Sequence, residues 1–381
     1  MKIGLLGHGV VGSGVRKIID AGETWEVREL EVARILVKDQ SEVCDPRMTL
    51  SADDILDDPD IDVVCECMGG LEPAHRFVKK ALENGKHVVT SNKKMLAAFC
   101  AELFETARDH HVTIHYEASC GGGIPWMASL DRTRRVDDIV SFRGIFNGTT
   151  NYILDRMKAE GKDFGEMLSL AQKLGYAERD PSDDIDGGDV RSKVALSCAK
   201  AFDSIVNVED IPAFGIRHIS ALDLLLAASM NKTVKLIGSA TYRDDCIQAC
   251  VIPTFMANEE IFSNIPINFN AIESSSKTLG NAMFVGQGAG SLPTAHAVVQ
   301  NIIDIWKDQD SEINEKHTKK IDNSERYGIF YIRTNRKQAF AELAEREFGD
   351  SILITKSISV AELTAAVKNA DDAGLFVAEV K

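Results

Sequence analysis

The sequence predicts an α/β protein in which a parallel sheet covered by helices comes first and two α+β regions follow. Short apolar segments alternate with helical segments of roughly 10–15 residues through residues 1–130, as in parallel sheets with crossover helices. Residues 131–285 mix longer helices with strands, and a strongly charged stretch at 307–325 precedes a final alternating segment. A length of 381 residues agrees with two or three domains.

The first predicted domain, at 1–130, contains five apolar strands joined by helices. The strands lie at 2–7, 30–37, 63–68, 87–90 and 113–117, and the helices at 10–21, 53–57, 73–84 and 97–110. Helices between successive strands should cover both faces of the sheet.

The second domain, at 131–285, should bind the substrate, and residues 286–310 should return to the first domain. The predicted strands lie at 139–146, 233–242 and 246–251, and the helices at 152–160, 164–174, 190–202, 223–231 and 295–305. Residues 311–381 combine a linker with a small α+β domain. Its strands are expected at 327–333, 351–357 and 375–380, and its helices at 337–348 and 360–369.

The charge and hydropathy of the chain exclude several classes of partner. A net charge of −15 and a pI near 5.1 argue against nucleic acid and anionic membranes. No apolar run approaches the roughly 20 residues that span a bilayer, and glycines at positions 4 and 7 interrupt the N-terminus too early for a secretion signal. We therefore expect a cytoplasmic protein with a small-molecule substrate.

A glycine-rich turn follows the first strand and opens the first helix. Gly7, Gly9 and Gly12 form G-x-G-x-x-G in the strand–turn–helix context of dinucleotide-binding sites. The helix N-terminus would supply N–H groups to a pyrophosphate, although a glycine-rich turn can also occur without a ligand. We predict a Rossmann-type domain that binds NADP or NAD through this turn, including Val10 and Val11.

The end of the second strand bears on the choice of cofactor. Lys38 would suit the 2′-phosphate of NADP, whereas Asp39 would suit the ribose hydroxyl of NAD. Lys38 could equally be a solvated strand end. We favour NADP and assign Lys38 to its binding.

An acidic loop at 174–189 leads into a helix that carries Asp189 and Lys193. The loop is not an EF-hand, because with Gly187 at its sixth position Lys193 would occupy the twelfth, where calcium needs a carboxylate. Asp189 and Lys193 are four residues apart and share one helix face. They could form a surface ion pair or a proton-transfer site, and the sequence alone leaves both open.

Six segments in a fixed order resemble homoserine dehydrogenases over roughly residues 1–310. They are GHGVVG (7–12), TSNKK (90–94), EASCGGGIP (117–125), FNGTTNYIL (146–154), LGYAERDPSDDIDGGDVRSK (174–193) and GQGAGSLPTA (286–295). The resemblance implies NAD(P)-dependent interconversion of L-homoserine and L-aspartate 4-semialdehyde in threonine, methionine and isoleucine biosynthesis. It also implies a homo-oligomer, either a dimer or a dimer of dimers. A related dehydrogenase of another amino or hydroxy acid is the alternative.

The resemblance assigns the catalytic residues. Lys193 would donate the proton to the aldehyde, with Asp189 as its polar partner. Lys93 would lie beside nicotinamide and substrate, and Lys94 is the competing assignment. The hypothesis requires that the helix of Asp189 and Lys193 faces the nicotinamide rather than solvent.

Substrate, cofactor and cation ligands are implied in the same way. The substrate residues would be Glu178 and Asp184 for the α-ammonium, with Asp183 adjacent, and Gly148 and Thr149 for the carboxylate. Thr149 or Thr150 could also cap the following helix. The remaining cofactor residues would be Gly69, Gly288 and Gly290. Glu117 and the carbonyls of Cys120, Gly122 and Ile124 would bind Na⁺ or K⁺, although this loop could instead be a hinge.

The C-terminus departs from the family pattern. Many members carry an ACT regulatory domain, a βαββαβ unit with a Pro-Gly effector loop after its first strand. Here the predicted first strand continues into Asn335-Arg336-Lys337 without Pro-Gly. We expect a reduced ACT-like domain in which amino-acid feedback is in doubt.

Overall fold

A computed structural model of the protein describes residues 1–308 and 317–381. The chain forms two compact units. Unit 1 comprises Met1–Val136, Ala195–Ile205 and Gly286–Thr318, and unit 2 comprises Asp137–Val194, Val206–Val285 and Lys319–Lys381. Part of the predicted linker at 307–325 lies outside the described residues. Among the described helices, none has both the length and the apolar character that a membrane span needs.

The first segment of unit 1 is the predicted alternation of strands and helices. Its elements are β1 Lys2–Leu6, α1 Val10–Ala21, α2 Trp25–Arg28, β2 Glu31–Leu36, β3 Met48–Thr49, α3 Asp53–Leu56, β4 Val63–Glu66, α4 Ala74–Glu83, β5 His87–Thr90, α5 Lys93–Ala98, α6 Cys100–Asp109, β6 Ile114–His115 and α7 Trp126–Arg134. The parallel six-stranded sheet has the order β3-β2-β1-β4-β5-β6, which is that of doubly wound dinucleotide-binding folds. The Rossmann-type prediction is confirmed.

The helix predicted at 97–110 is two helices. The side chain of Asn92 accepts a hydrogen bond from the N–H of Met95 and starts α5 at Lys93. Phe99 then interrupts the helix with φ −116° and ψ 21°, and α6 begins at the next residue.

The middle of the chain contributes elements to both units. They are β7 Ile139–Ile145, α8 Gly148–Glu160, α9 Phe164–Lys173, α10 Ser182–Ile185, α11 Gly188–Phe202, β8 Ser204–Ile205, α12 Ala221–Ser229, β9 Lys232–Arg243, β10 Cys246–Ala257, β11 Phe269–Ser276, β12 Gly280–Gln287 and α13 Ser291–Trp306. The sequence analysis missed β11 and β12. The inward positions of β11 include Asn270, Glu273 and Ser274, so apolar alternation could not reveal this strand.

The last segment completes a mixed nine-stranded sheet. Its elements are β13 His317–Thr318, β14 Tyr327–Gly328, β15 Phe330–Arg333, β16 Ala344–Phe348, β17 Ile352–Thr355, β18 Ile358–Ser359, α14 Val360–Ala370 and β19 Phe376–Val380. The sheet has the order β12-β11-β7-β9-β10-β19-β15-β17-β16. The C-terminal strands join it where β19 runs parallel to β10.

The helix predicted at 337–348 is wrong. Lys337–Leu343 forms a 3₁₀ helix, and Ala344–Phe348 forms the edge strand β16. Antiparallel pairing with β17 overrides the helical propensity of this segment. From β15 to β19 the elements that belong to the nine-stranded sheet or join its strands follow the order strand, 3₁₀ helix, two strands, helix, strand. The two-residue strand β18 lies between β17 and α14 and pairs with β14 instead.

Helix α13 belongs to unit 1 and packs on α1. Val298 and Ile302 are fully buried in the same apolar cluster as Val15 and Ile3. A Cβ on Gly14 would lie 2.8 Å from the Cβ of Ala295, so a glycine is needed where the two helices meet. Residues 286–306 therefore belong to the same compact unit as the glycine-rich turn.

Candidate active site

The glycine-rich turn has a backbone that depends on two of its three glycines. Gly7 adopts φ +99°, and a Cβ on Gly12 would lie 2.1 Å from the carbonyl oxygen of Gly7. Within the described part of the chain, a Cβ on Gly9 would meet no atom within 4 Å, and no side chain caps α1, which starts at the next residue. Val10 is exposed and Val11 is partly buried. The first turn of α1 is therefore suited to bind an anion.

Lys38 and Asp39, which follow β2 after Val37, differ in their contacts. Lys38 and Asp39 are both exposed. The Asp39 carboxylate accepts hydrogen bonds from the backbone N–H and the hydroxyl of Ser41, each at 2.9 Å. These bonds lower the pKa of Asp39 below its usual value. Asp39 thus caps the 3₁₀ turn that follows the strand.

A fully buried glutamate organises the loop that carries Gly69. The Glu66 carboxylate accepts hydrogen bonds from the N–H groups of Met68 and Gly69 at 2.8 and 3.2 Å. It also accepts from the Thr90 hydroxyl at 2.6 Å and the Asn92 amide at 3.4 Å. One carboxylate thereby fixes the segments that follow β4 and β5. Sequence reasoning missed Glu66, although a glutamate inside the apolar run 63–68 was the available signal.

The adjacent lysines after Asn92 lie in different environments. Asn92 caps α5 and donates to the Gly70 carbonyl at 2.7 Å. Lys93 is partly buried, whereas Lys94 is exposed. Partial burial makes Lys93 the better suited of the two to act in a site.

Lys193 and Asp189 form a buried ion pair at the start of α11. Lys193 Nζ lies 2.8 Å from Asp189 Oδ2, and only 9% and 4% of the two side chains are exposed. The ammonium also donates to the carbonyl oxygen of Phe146 at 2.7 Å. The surface ion pair, one of the two alternatives from the sequence, is therefore excluded.

Asn147 joins this ion pair to the acidic loop. Its side-chain amide donates to Asp184 Oδ1 at 2.7 Å and to Asp189 Oδ2 at 2.9 Å. Its side-chain oxygen accepts from the N–H of Thr150 at 2.8 Å and caps α8, which begins at Gly148. The expected cap by Thr149 or Thr150 is wrong, because Asn147 precedes the first helical residue.

The other predicted substrate residues lie in helix α8 and in the acidic loop. Gly148 and Thr149 form the first turn of α8, and the Thr149 hydroxyl donates to the Tyr176 carbonyl at 2.6 Å. Asp183 is partly buried in α10, and Glu178 is exposed in the preceding loop. Asn147 is hydrogen-bonded to Asp184 and Asp189, and Asp189 in turn pairs with Lys193. Among the described residues, the Glu178 side chain makes no hydrogen bond to this cluster.

The predicted cation loop packs tightly within unit 1. The Glu117 carboxylate accepts hydrogen bonds from the N–H groups of Met127 and Ala128 at 2.8 and 2.7 Å and so caps α7. Burial raises the pKa of Glu117 to about 7. The Ile124 carbonyl accepts from the Trp126 N–H at 2.7 Å, and Cys120 is fully buried. In residues 1–308 and 317–381, no group of three or more His, Cys, Asp or Glu could hold a metal.

Residues 286–291 approach both this loop and the glycine-rich turn. A Cβ on Gly122 would lie 2.5 Å from the Gly288 carbonyl oxygen. Gly290, with φ +131°, precedes α13, and the Ser291 hydroxyl donates to the Val10 carbonyl at 2.7 Å. Gly288 and Gly290 thus lie in a segment that reaches the first turn of α1.

Comparisons with known proteins give one consistent family. The family described as homoserine dehydrogenase matches residues 125–303, and the homoserine dehydrogenase NAD binding domain matches residues 7–117. A homoserine dehydrogenase of Synechocystis sp. is 40% identical over 316 residues, which cover 80% of this chain and 73% of that protein. One of Bacillus subtilis is 38% identical over 316 residues, 81% of this chain and 73% of that protein.

Solved structures agree with the sequence matches. The crystal structure of a homoserine dehydrogenase from Thiobacillus denitrificans has a TM-score of 0.89 and 29% identity, over 100% of this chain and 98% of that chain. A homoserine dehydrogenase from S. aureus has a TM-score of 0.77 and 28% identity, again over 100% and 98%. The likeness therefore includes the C-terminal segment.

Proposed function

The chain belongs to the homoserine dehydrogenase family, and from that premise we propose that the buried pair of Lys193 and Asp189 transfers the proton in its reaction. The enzyme is an NAD(P)-dependent oxidoreductase that acts on a hydroxyl group. The reaction interconverts L-homoserine and L-aspartate 4-semialdehyde. We assign it to the biosynthesis of threonine, methionine and isoleucine.

The burial of the Lys193 ammonium is the observation that supports this proposal most strongly. Removing an ammonium and a carboxylate from water has a desolvation penalty of several kcal/mol per ion, and a buried ion pair often contributes no net stability. A contribution to the stability of the fold therefore does not explain well why this pair is buried. A role for Lys193 as a positioned proton donor to an aldehyde oxygen explains it better.

The proposed chemistry divides between cofactor and protein. When bound, the nicotinamide supplies or accepts the hydride. In the direction of reduction, Lys193 gives a proton to the aldehyde oxygen as the carbon receives the hydride, and solvent returns a proton to Lys193. Asp189 keeps the ammonium oriented through its 2.8 Å contact. Lys93 would polarise the same oxygen.

The acidic loop would bind the amino acid's α-ammonium. Asp184 is fixed by Asn147 at 2.7 Å, so one carboxylate oxygen is already oriented. Glu178, with Asp183 adjacent, would complete the ammonium site. The first turn of α8, with Gly148 and Thr149, would bind the substrate carboxylate, since a helix N-terminus favours negative charge.

The cofactor would lie along the glycine-rich turn. Gly7, Gly9 and Gly12, with Val10 and Val11, would hold the pyrophosphate, and Gly69, Gly288 and Gly290 would lie near the rest of the molecule. We propose NADP because Lys38 is exposed at the end of β2 while Asp39 already caps a turn. Initial rates with NADPH and NADH at matched concentrations would test this preference.

We also propose a monovalent cation, Na⁺ or K⁺, at the loop of Glu117, Cys120, Gly122 and Ile124. Each Glu117 oxygen accepts one backbone N–H and retains a lone pair, so the carboxylate can fit a cation. We further propose a cytoplasmic homodimer or dimer of dimers. Size-exclusion chromatography with light scattering would measure its mass.

The substitution Lys193→Ala tests the proposed function directly. We expect the rate of homoserine oxidation to fall by at least ~10²-fold, the lower range for loss of a general acid–base group. Lys368→Ala, which removes an exposed lysine of the same unit with no proposed role, is the control and should retain most of its activity. Near-normal turnover of Lys193→Ala would show that another residue transfers the proton.

A matched panel of amino and hydroxy acids would separate homoserine from the substrates of related dehydrogenases.

A further inference from the structure

The carbonyl oxygen of Phe146 accepts hydrogen bonds from two buried side chains. One donor is Lys193 Nζ at 2.7 Å, and the other is Asn270 Nδ2 at 2.8 Å. Asn270 is fully buried in β11, the strand beside β7. A carbonyl oxygen has two lone pairs, so the two donors occupy both. Asn270 therefore holds the acceptor that orients the Lys193 ammonium.

The peptide that Asn270 holds also leads into the acidic cluster. Phe146 is followed by Asn147, whose side chain donates to Asp184 and Asp189 at 2.7 and 2.9 Å. A rotation of this peptide would displace the carbonyl bound by Lys193 and the side chain bound to its carboxylate partner. Both neighbours of the ammonium thus depend on the orientation of one peptide.

The two polar atoms of the Asn270 side chain differ in their contacts. Its Oδ1 is buried and has no hydrogen-bond partner within the described part of the chain. An acceptor buried in this way destabilises the fold, and a leucine of similar size would remove the penalty. The Nδ2 donor to Phe146 is the contact that an amide provides and a leucine does not.

We infer that Asn270 is a positioning residue for proton transfer. Its amide fixes the Phe146–Asn147 peptide and thereby the place and direction of the Lys193 ammonium. This inference rests on the proposed role of Lys193. It assigns a function to β11, a strand that the sequence analysis did not find.

The test is Asn270→Leu in the full-length enzyme. We expect kcat to fall about tenfold, which is about 1.4 kcal/mol in the barrier, with the KM for the cofactor unchanged within twofold. The solvent deuterium isotope effect on kcat should increase, because a misplaced donor makes proton transfer slower relative to the other steps. The melting temperature should stay the same or rise.

A matched control is present in the same unit. Asn323 is also buried, its Nδ2 donates to the Ala249 carbonyl at 2.9 Å, and its Oδ1 has no hydrogen-bond partner within the described residues. Asn323→Leu should keep the kcat and the isotope effect of the wild type. Asn270→Ala, which lacks the N–H donor and adds no bulk, should repeat the loss of kcat if leucine prevents folding.

The outcomes separate this inference from the proposed function. If Lys193→Ala is inactive but Asn270→Leu and Asn270→Ala retain normal kcat and isotope effects, Asn270 does not position the proton donor. An equal loss of kcat in Asn323→Leu would also overturn the inference, because it would show that replacing any such buried asparagine has the same effect. If Lys193→Ala itself remains active, the proposed function fails first. Adding Asn270→Leu to Lys193→Ala should not lower kcat further, because both changes act through the Lys193 ammonium.

Discussion

At the scale of single residues, burial separates ion pairs that have the same spacing. Arg16 and Asp20 are four residues apart and 3.2 Å from each other, with 24% and 39% of their side chains exposed. Such pairs contribute a few tenths of a kcal/mol at most. Lys193 and Asp189 have the same spacing but are almost fully buried. Their interaction is poorly screened by water, so the ammonium keeps a defined direction.

The pKa of Glu117 predicts a pH-dependent stability. Burial raises this pKa from 4.5 to about 7. The folded protein therefore holds a proton that the unfolded chain has lost between these values. The contribution is fully present below pH 4.5 and is lost as the pH rises through 7, a change of about 3 kcal/mol.

Melting temperatures of the wild type and Glu117→Gln, measured from pH 4.5 to 8, would test this. The melting temperature of the wild type should fall relative to that of the variant as the pH rises to about 7. At higher pH the difference between the two melting temperatures should stay constant. A cation that binds ionised Glu117 would reduce this loss in NaCl or KCl relative to choline chloride at equal ionic strength. Parallel curves for both proteins would contradict the prediction.

At the scale of elements, the glycine-rich turn contains glycines with different roles. The Cβ of Gly12→Ala would collide with the Gly7 carbonyl, so this change should destabilise the junction of β1 and α1. The Cβ of Gly9→Ala would enter open space, and Gly9 has φ −76°, which alanine adopts readily. The backbone of the turn therefore requires glycine at positions 7 and 12 but not at position 9.

We expect Gly9→Ala to keep the melting temperature of the wild type while raising the KM for the cofactor at least about tenfold, since its methyl group would occupy the pyrophosphate position. Gly12→Ala should lower the melting temperature itself. Thermal denaturation and titration of cofactor fluorescence would measure the two effects. Unchanged cofactor affinity in Gly9→Ala would place the pyrophosphate elsewhere.

At the scale of the whole molecule, the C-terminal segment is tied into unit 2 by a buried carboxylate. Asp223, fully buried at the start of α12, accepts from the Tyr331 hydroxyl at 2.6 Å and from Arg333 Nε at 2.8 Å. Both donors lie on β15. The C-terminal segment thus shares a sheet and a polar anchor with the rest of unit 2.

We expect Asp223→Asn to destabilise the enzyme by about 3–5 kcal/mol, because it leaves the Arg333 guanidinium without its carboxylate. The activity at 25 °C should remain, since Asp223 has no proposed role in the reaction. Asp244→Asn removes a carboxylate whose side chain is 87% exposed and serves as the control. Chemical denaturation would measure the free energy of unfolding of both variants. Equal values for the two variants would show that the contacts of Asp223 contribute little to stability.

The Rossmann-type sheet, the glycine-rich turn and the family could be predicted from the sequence, because they depend on local periodicity and on residues close together in the chain. The burial of Lys193 and Asp189, the cap of α8 by Asn147 and the strand β16 in place of a helix became evident only from the fold. It also revealed Glu66, Asn270 and the strand β11. Burial and hydrogen bonding of polar residues arise from contacts between distant segments, and no local pattern of hydrophobicity records them.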